Sequence, residues 1–307
     1  MWHTWCVDAR NHDDGRPRAS FPITSGVLIE FMKAHSPGEV SAADGTRRVD
    51  ERLTHPKVKS ARTIDRYLAS LRALHRLAGF KDDPTADVDV EATRRLVMRG
   101  RTRAKPKKPF RLAQVEEVLA LESGSIRDLR DRAMLAVAYS AMLRRSELVA
   151  LEIRDLAFDA DGSGTVTVKF SKSDQNSEGH VRYLASFVVV ALQAWLDAAR
   201  IVEGHLFRRV LSTSAVGESP LTDHEVARIF KRLAGRVGAD IDAAGIAGHS
   251  TRIGAAHDLV QAGFDVAAIA NAGGWKSLMM PNYYTRELRA KQSAMAQLIR
   301  RREQDGW

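Results

Sequence analysis

The chain has 307 residues, enough for two domains of ordinary size, and 44% of them are hydrophobic, which supports a buried core and excludes a disordered tail. Its formal net charge of +9 points to a polyanionic partner such as nucleic acid, because a basic surface gains free energy by displacing counterions from phosphates. A single cysteine, Cys6, excludes an internal disulfide and a cysteine-based metal site, and no apolar run or basic-then-apolar leader suggests a membrane or export, so a cytoplasmic protein is expected.

In chain order, Thr24 to Ala34 reads as a short helix. The polar stretch from Ser36 to Ser60, with Pro37, Gly38, Gly45 and Pro56, reads as a long loop. Ile64, Leu68, Leu71, Leu74 and Ala78 then recur at helical spacing, and Gly79 ends the run. Arg62 and Arg66 lie one turn apart on the opposite face, either as a solvated surface or as groove contacts. From Arg99 to Phe110 a glycine and two prolines forbid a regular helix, while Arg101, Arg103, Lys105, Lys107 and Lys108 make the stretch basic. This segment reads as a linker between two domains, either a solvated hinge with no ligand or a strand that tracks a DNA backbone. It divides the chain into residues 1–104, a linker end at 105–109, and residues 110–307.

Asp131 to Leu143 is apolar nearly all round and predicts a helix buried on most sides. Thr165 to Phe170 alternates as a half-buried strand, a polar turn with Asp174, Asn176 and Gly179 follows, and His180 to Leu184 is the return strand. Thr222-x-x-Glu225 is a capping box ahead of Val226, Ile229, Phe230 and Leu233.

Three polar clusters stand out. Arg144 follows the buried helix, with Glu147 one turn on; Gly248-His249-Ser250-Thr251-Arg252 puts an imidazole and a guanidinium three residues apart; Gly273-Gly274-Trp275 precedes Tyr283-Tyr284-Thr285-Arg286. Taken singly they read as a helix salt pair, a capped helix start and a core plug. No Asp/Glu/His cluster has metal-ligand spacing, so two-metal nuclease chemistry is not expected, and Gly274-Trp275-Lys276-Ser277 lacks the glycine spacing of a phosphate-binding loop.

In this order (Arg-x-x-Glu, a hairpin lysine, His-x-x-Arg, Gly-Gly-Trp, Tyr) the clusters resemble the tyrosine recombinases, or phage integrase family, and the likeness covers most of the chain. The resemblance implies a mainly α fold: an N-terminal helical, SAM-like core-binding domain and a C-terminal, mostly helical catalytic domain with a small antiparallel β-sheet. It implies Tyr284 as the nucleophile rather than Tyr283, since the family's nucleophile directly precedes a Thr-Arg or similar pair. It matches Arg144, Arg252, His249 and Trp275 to the phosphate-binding and proton-handling positions, Glu147 to the acidic support, and Lys172 to the hairpin lysine, with Lys169 as its rival.

The resemblance further implies a homotetramer on two double-stranded DNA sites of inverted-repeat type. Strands exchange through a 3′-phosphotyrosine intermediate and a Holliday junction, without metal, ATP or other cofactor, in a nucleoid-associated protein of bacterial or phage origin. It aligns Arg62 and Arg66 with groove-facing positions, and it docks a C-terminal helix, Gln292 to Arg302 with Met295 and Leu298, onto a neighbouring copy. Trp2–Cys6 resembles the end of the family's second helix, so the chain reads as short at its N-terminus. A type IB topoisomerase or a telomere resolvase would share the pocket chemistry, and a non-catalytic DNA-binding protein is the remaining class.

Overall fold

A computed structural model describes residues 22–35, 39–41, 47–49, 60–99, 107–122, 124–169, 179–237 and 242–304. Lys172, Arg101, Arg103, Lys105, the Trp2–Cys6 segment and most of the polar hairpin turn lie outside the described residues. The chain divides into two units, Met1–Ala104 and Lys105–Trp307.

The first unit contains helix α1 (Ser25–His35), paired strands β1 (Glu39–Ser41) and β2 (Arg47–Val49), and helices α2 (Ala61–Leu77) and α3 (Val88–Arg99). Leu28, Met32, Ile64, Leu68, Leu71 and Val90 form its core. The Ser60 side chain caps α2 by accepting the Thr63 N–H at 3.2 Å. At the other end Gly79 takes φ +78°, and the Phe80 N–H reaches back to the His75 carbonyl at 3.1 Å, the bond that closes a helix onto a left-handed glycine.

Two expectations fail here. Leu74 and Ala78 are exposed; the core-facing position after Leu71 is His75, one i+4 step on, whose Nε2 accepts the Ile23 N–H at 2.9 Å. The stretch read as a loop holds the antiparallel β1–β2 pair, with Val40 opposite Arg48, whose three-residue strands are too short to show a periodicity.

The second unit runs through α4 (Leu112–Ala120), α5 (Ile126–Ser140) and α6 (Arg145–Ala150), the antiparallel sheet β3 (Leu156–Phe158), β4 (Gly164–Val168) and β5 (His180–Leu184), and α7 (Ser186–Ala199). A second antiparallel pair, β6 (Arg208–Val210) and β7 (Val216–Pro220), leads to α8 (Asp223–Ala234), α9 (Ser250–Gln261), α10 (Val266–Gly273), α11 (Met279–Lys291) and α12 (Ala294–Gln304). The unit is mainly helical, as expected. The β6–β7 pair was not anticipated, because Arg-Arg-Val and Val-Gly-Glu-Ser-Pro carry no alternating apolar face. No described helix is long and apolar enough to cross a membrane.

Helix α5 is the axis of this unit. Ala133 to Ala138 are all buried, α7 and α9 pack on it, and the Trp195 indole on α7 donates to the Leu206 carbonyl at 2.8 Å. On β4, Val166 and Val168 face inward, as the alternation requires. Helix α9 is clamped at its start by the chain entering the unit: the Phe110 N–H donates to the Ser250 carbonyl at 2.9 Å. The approach is close enough that a Cβ at Gly254 would overlap the Phe110 carbonyl.

Gly254→Ala must push backbone against backbone, so it should cost about 1–3 kcal/mol or more. Chemical denaturation of the purified variant measures this, and an unchanged midpoint would contradict the packing described.

Candidate active site

Arg144, His249 and the Gly-Gly-Trp turn each sit where a helix ends or begins, and the tyrosine pair lies inside α11. Met142 leaves α5 with φ +49°, a left-handed turn uncommon for a residue with a side chain, and the chain then enters α6 through Arg144 as its N-cap. Glu147, buried on the first turn of α6, accepts the Arg144 backbone N–H at 2.8 Å and the Arg144 Nη1 at 2.5 Å. A buried carboxylate thus fixes a guanidinium that would otherwise sweep many rotamers.

His249 is the N-cap of α9, and Arg252 lies on its first turn. Arg252 is 4% exposed, and its partners come from two other segments. Nη1 donates to the Met142 carbonyl, Nη2 donates to the Gly273 carbonyl at 2.9 Å, and the guanidinium carbon sits 4.3 Å from the centre of the Trp275 ring. Burial, followed by the charge of Arg144, pushes its acidity constant down to about 10, so the group remains a cation at neutral pH.

The Gly-Gly-Trp turn ends α10. Gly274 caps the helix at φ +63°, while a Cβ at Gly273 would run into the Trp275 ring. The two glycines are required for different reasons, one for backbone conformation and one for space.

Tyr284 lies on α11 with its ring 6.2 Å from Trp275. Tyr283 lies beside it at 5.9 Å but is 45% exposed, with the Arg286 guanidinium 5.0 Å from its ring centre. Of the two phenols, Tyr284 is the one set against the indole. Burial raises its acidity constant above the ordinary tyrosine value, against the opposing pull of Arg252 and then Arg144. The phenol therefore carries its proton at neutral pH and must lose it to act as a nucleophile.

The His249 imidazole keeps an exposed edge. Its acidity constant is nevertheless held below the ordinary histidine range, first by burial and then by the charges of Arg252, Arg145 and Arg144. It is accordingly neutral near pH 7 and able to take a proton.

Arg144, Glu147 and Arg252 line one small cavity together with Arg182, Gly273 and Gly274. The fold brings together Arg144, Glu147, Arg252, Trp275 and Tyr284, with His249 within electrostatic reach of both arginines. Lys172 lies outside the described residues. Its rival Lys169 is engaged elsewhere, in an ion pair with Asp155. Arg62 and Arg66 are exposed on α2, as are Lys107 and Lys108 ahead of α4, where the Lys108 N–H donates to the Gly245 carbonyl at 3.1 Å.

Two neighbours were missed by the sequence reading. His257 on α9 bonds the backbone carbonyl of Tyr284 through Nε2 at 2.8 Å, and nothing in the local sequence marks it. Arg182 was legible in principle: it shares a strand face with the buried Leu184, so alternation alone turns it inward.

The phage integrase family model matches residues 108–291. The chain is 25% identical over 256 residues to the recombinase Cre of Escherichia phage P1, covering 78% of this chain and 75% of that protein. It is 30% identical over 235 residues to an integrase/recombinase XerD homologue of Selenomonas ruminantium, covering 73% of this chain and 68% of that protein. Among solved structures, the Tn1549 transposon integrase in complex with transposon right-end DNA is similar in fold, with a TM-score of 0.59 at 16% identity, over 92% of this chain and 89% of that one.

Because the folded protein resists protonating His249, this residue costs no stability above pH 6.5 and penalises folding progressively below it. In the DNA-free protein its imidazole should titrate below 6.5, read from the pH dependence of its NMR signal assigned with His249→Gln. A midpoint at or above that value would contradict the burial and charge described.

Proposed function

The chain belongs to the phage integrase family of tyrosine recombinases, and on that premise we propose that it is a site-specific recombinase that cuts and rejoins duplex DNA through Tyr284. The observation that carries the reading is a cluster in which the Tyr284 ring and the Arg252 guanidinium both lie against the Trp275 indole, while Arg252 shares a small cavity with Arg144.

The reaction follows from what those groups do best. A phosphodiester resists attack because the nucleophile must approach an anion. Arg144 and Arg252 each present N–H donors to the non-bridging oxygens and stabilise the charge of the five-coordinate transition state, and Trp275 adds a neutral donor. The Tyr284 oxygen bonds to phosphorus as the bond to the 5′ oxygen breaks. Its proton passes to His249, and the departing 5′ oxygen takes one from the Lys172 ammonium. The product is a 3′-phosphotyrosine ester close in energy to the bond it replaced. The reverse attack by a 5′ hydroxyl, from the same or another strand, therefore rejoins DNA without ATP.

Residues 1–104 grip DNA with Arg62 and Arg66, and the 105–109 linker with Lys107 and Lys108 follows its backbone. Four copies bring two sites together and exchange strands in two steps through a Holliday junction. The contact between copies uses α12: no residue of this helix is buried, and Met295, Leu298 and Ile299 are 64%, 53% and 46% exposed.

Two experiments test the reading. On a nicked duplex selected by the protein from a random pool, wild type should form a covalent adduct that survives denaturing electrophoresis. Tyr284→Phe should form none while binding the DNA equally, and Tyr283→Phe should keep the adduct; the opposite pattern moves the nucleophile by one residue. Deleting residues 294–304 should leave binding to a single site unchanged and weaken the two-site assembly. An unaltered sedimentation profile of that assembly would argue against α12 as the link.

A further inference from the structure

The end of α10 is held in an unusual way. The last carbonyls of a helix lack partners within it, and here three in succession receive arginine N–H groups from outside. Arg182 Nη1 donates to the carbonyls of Asn271 at 2.8 Å and Ala272 at 2.9 Å, and Arg252 takes the next, Gly273. The two arginines come from different elements, β5 and α9. A guanidinium suits this position because one nitrogen offers two N–H bonds in fixed directions and its charge meets the negative end of the helix dipole.

The strand aims the side chain. Arg182 pairs with the buried Val166 of β4, while its neighbours Val181 and Tyr183 point outward at 66% and 62% exposure. The guanidinium then fills the space beside the Gly-Gly-Trp turn, and a Cβ at Gly274 would collide with it. Arg182 also lines the cavity that holds Arg144 and Arg252, where Glu147 is the one carboxylate among the lining residues.

We propose that Arg182 is a positioning residue for strand cleavage: by holding the Asn271 and Ala272 carbonyls it fixes the Gly273–Trp275 turn, and through that turn sets the Trp275 indole and the Arg252 guanidinium against Tyr284. This rests on the strand-transfer reading above and deepens it. Arg182 need not touch the phosphate. It acts because the indole it steadies lies close to both groups, 4.3 Å from the guanidinium carbon and 6.2 Å from the phenol ring. A small displacement of the turn moves two groups at once. Strand β5 is also where the chain returns from the segment that carries Lys172, so the same side chain ties that return to the pocket.

The test is single-turnover adduct formation on the selected nicked duplex at saturating protein, comparing wild type with Arg182→Met and Arg182→Lys. Arg182→Met keeps the stem and removes charge and donors; it should slow cleavage about 10- to 100-fold, the cost of misplacing groups that must be aligned, with DNA affinity within about twofold of wild type. Arg182→Lys keeps the charge and a donor and should recover most of the rate. Trp275 emission, isolated by subtracting the matching Trp275→Phe spectra, should shift in Arg182→Met and return in Arg182→Lys.

A wild-type rate in Arg182→Met overturns the proposal, as does a loss of rate matched by an equal loss of DNA affinity. If Arg182→Met does not fold, Arg182→Lys decides alone: an unshifted Trp275 signal together with a strongly reduced rate overturns it, and a near-wild-type rate with an unshifted signal supports it. Failure of wild type itself to form any adduct sinks the strand-transfer reading instead, which keeps the two outcomes distinct.

Discussion

Arg252 buries a positive charge where three segments of chain meet, and the pocket is organised around keeping it there. Its direct partners are neutral: the carbonyls of Met142 and Gly273 and the face of an indole. Dipoles repay only part of the cost of taking a charge out of water. The remainder shows in the lowered acidity constant of about 10 and in the nearby Arg144 charge that contributes to it. Arginine keeps its proton under these conditions where lysine is more readily discharged, which is a physical reason for the residue type. In the proposed reaction an arriving phosphate supplies the missing negative charge. The protein has thus met the cost of orienting its donors before any reaction begins, the condition under which electrostatic stabilisation of a transition state is most effective.

The same constraint accounts for the backbone around the pocket. Met142 adopts a left-handed turn that is costly for a residue with a side chain, of the order of 1–3 kcal/mol, and its carbonyl meets Arg252. Gly274 takes a similar turn at no steric cost. Arg144, His249 and the Gly-Gly-Trp turn all belong to helix termini, where backbone direction changes and a side chain can be aimed without breaking a helical ladder. Tyr284 comes from the middle of a helix, and there the His257 bond to its carbonyl ties α11 to α9.

Much of this arrangement is legible in the sequence. The apolar run from Asp131, the alternating strand, the capping box and the polar clusters each follow a local rule, and the local rules agree. What was hidden depended on partners distant in sequence. Arg182 and Asn271 are 89 residues apart, and nothing in either segment announces the other. His75 replaced Leu74 in a core because an imidazole could satisfy the Ile23 N–H, a choice set by tertiary context rather than by hydropathy. The short strands β1, β2 and β6 fall below the length at which a period of two can be recognised.

Helix α12 has eleven residues and buries none of them. An isolated helix of that length is marginal in water, because nucleation outweighs the few bonds gained. Its amide hydrogens should therefore exchange with solvent almost as freely as those of a short peptide whenever the chain is alone, and slow sharply once another surface covers Met295, Leu298 and Ile299. In the assembly proposed above, the local order of this tail would register whether a second copy covers it.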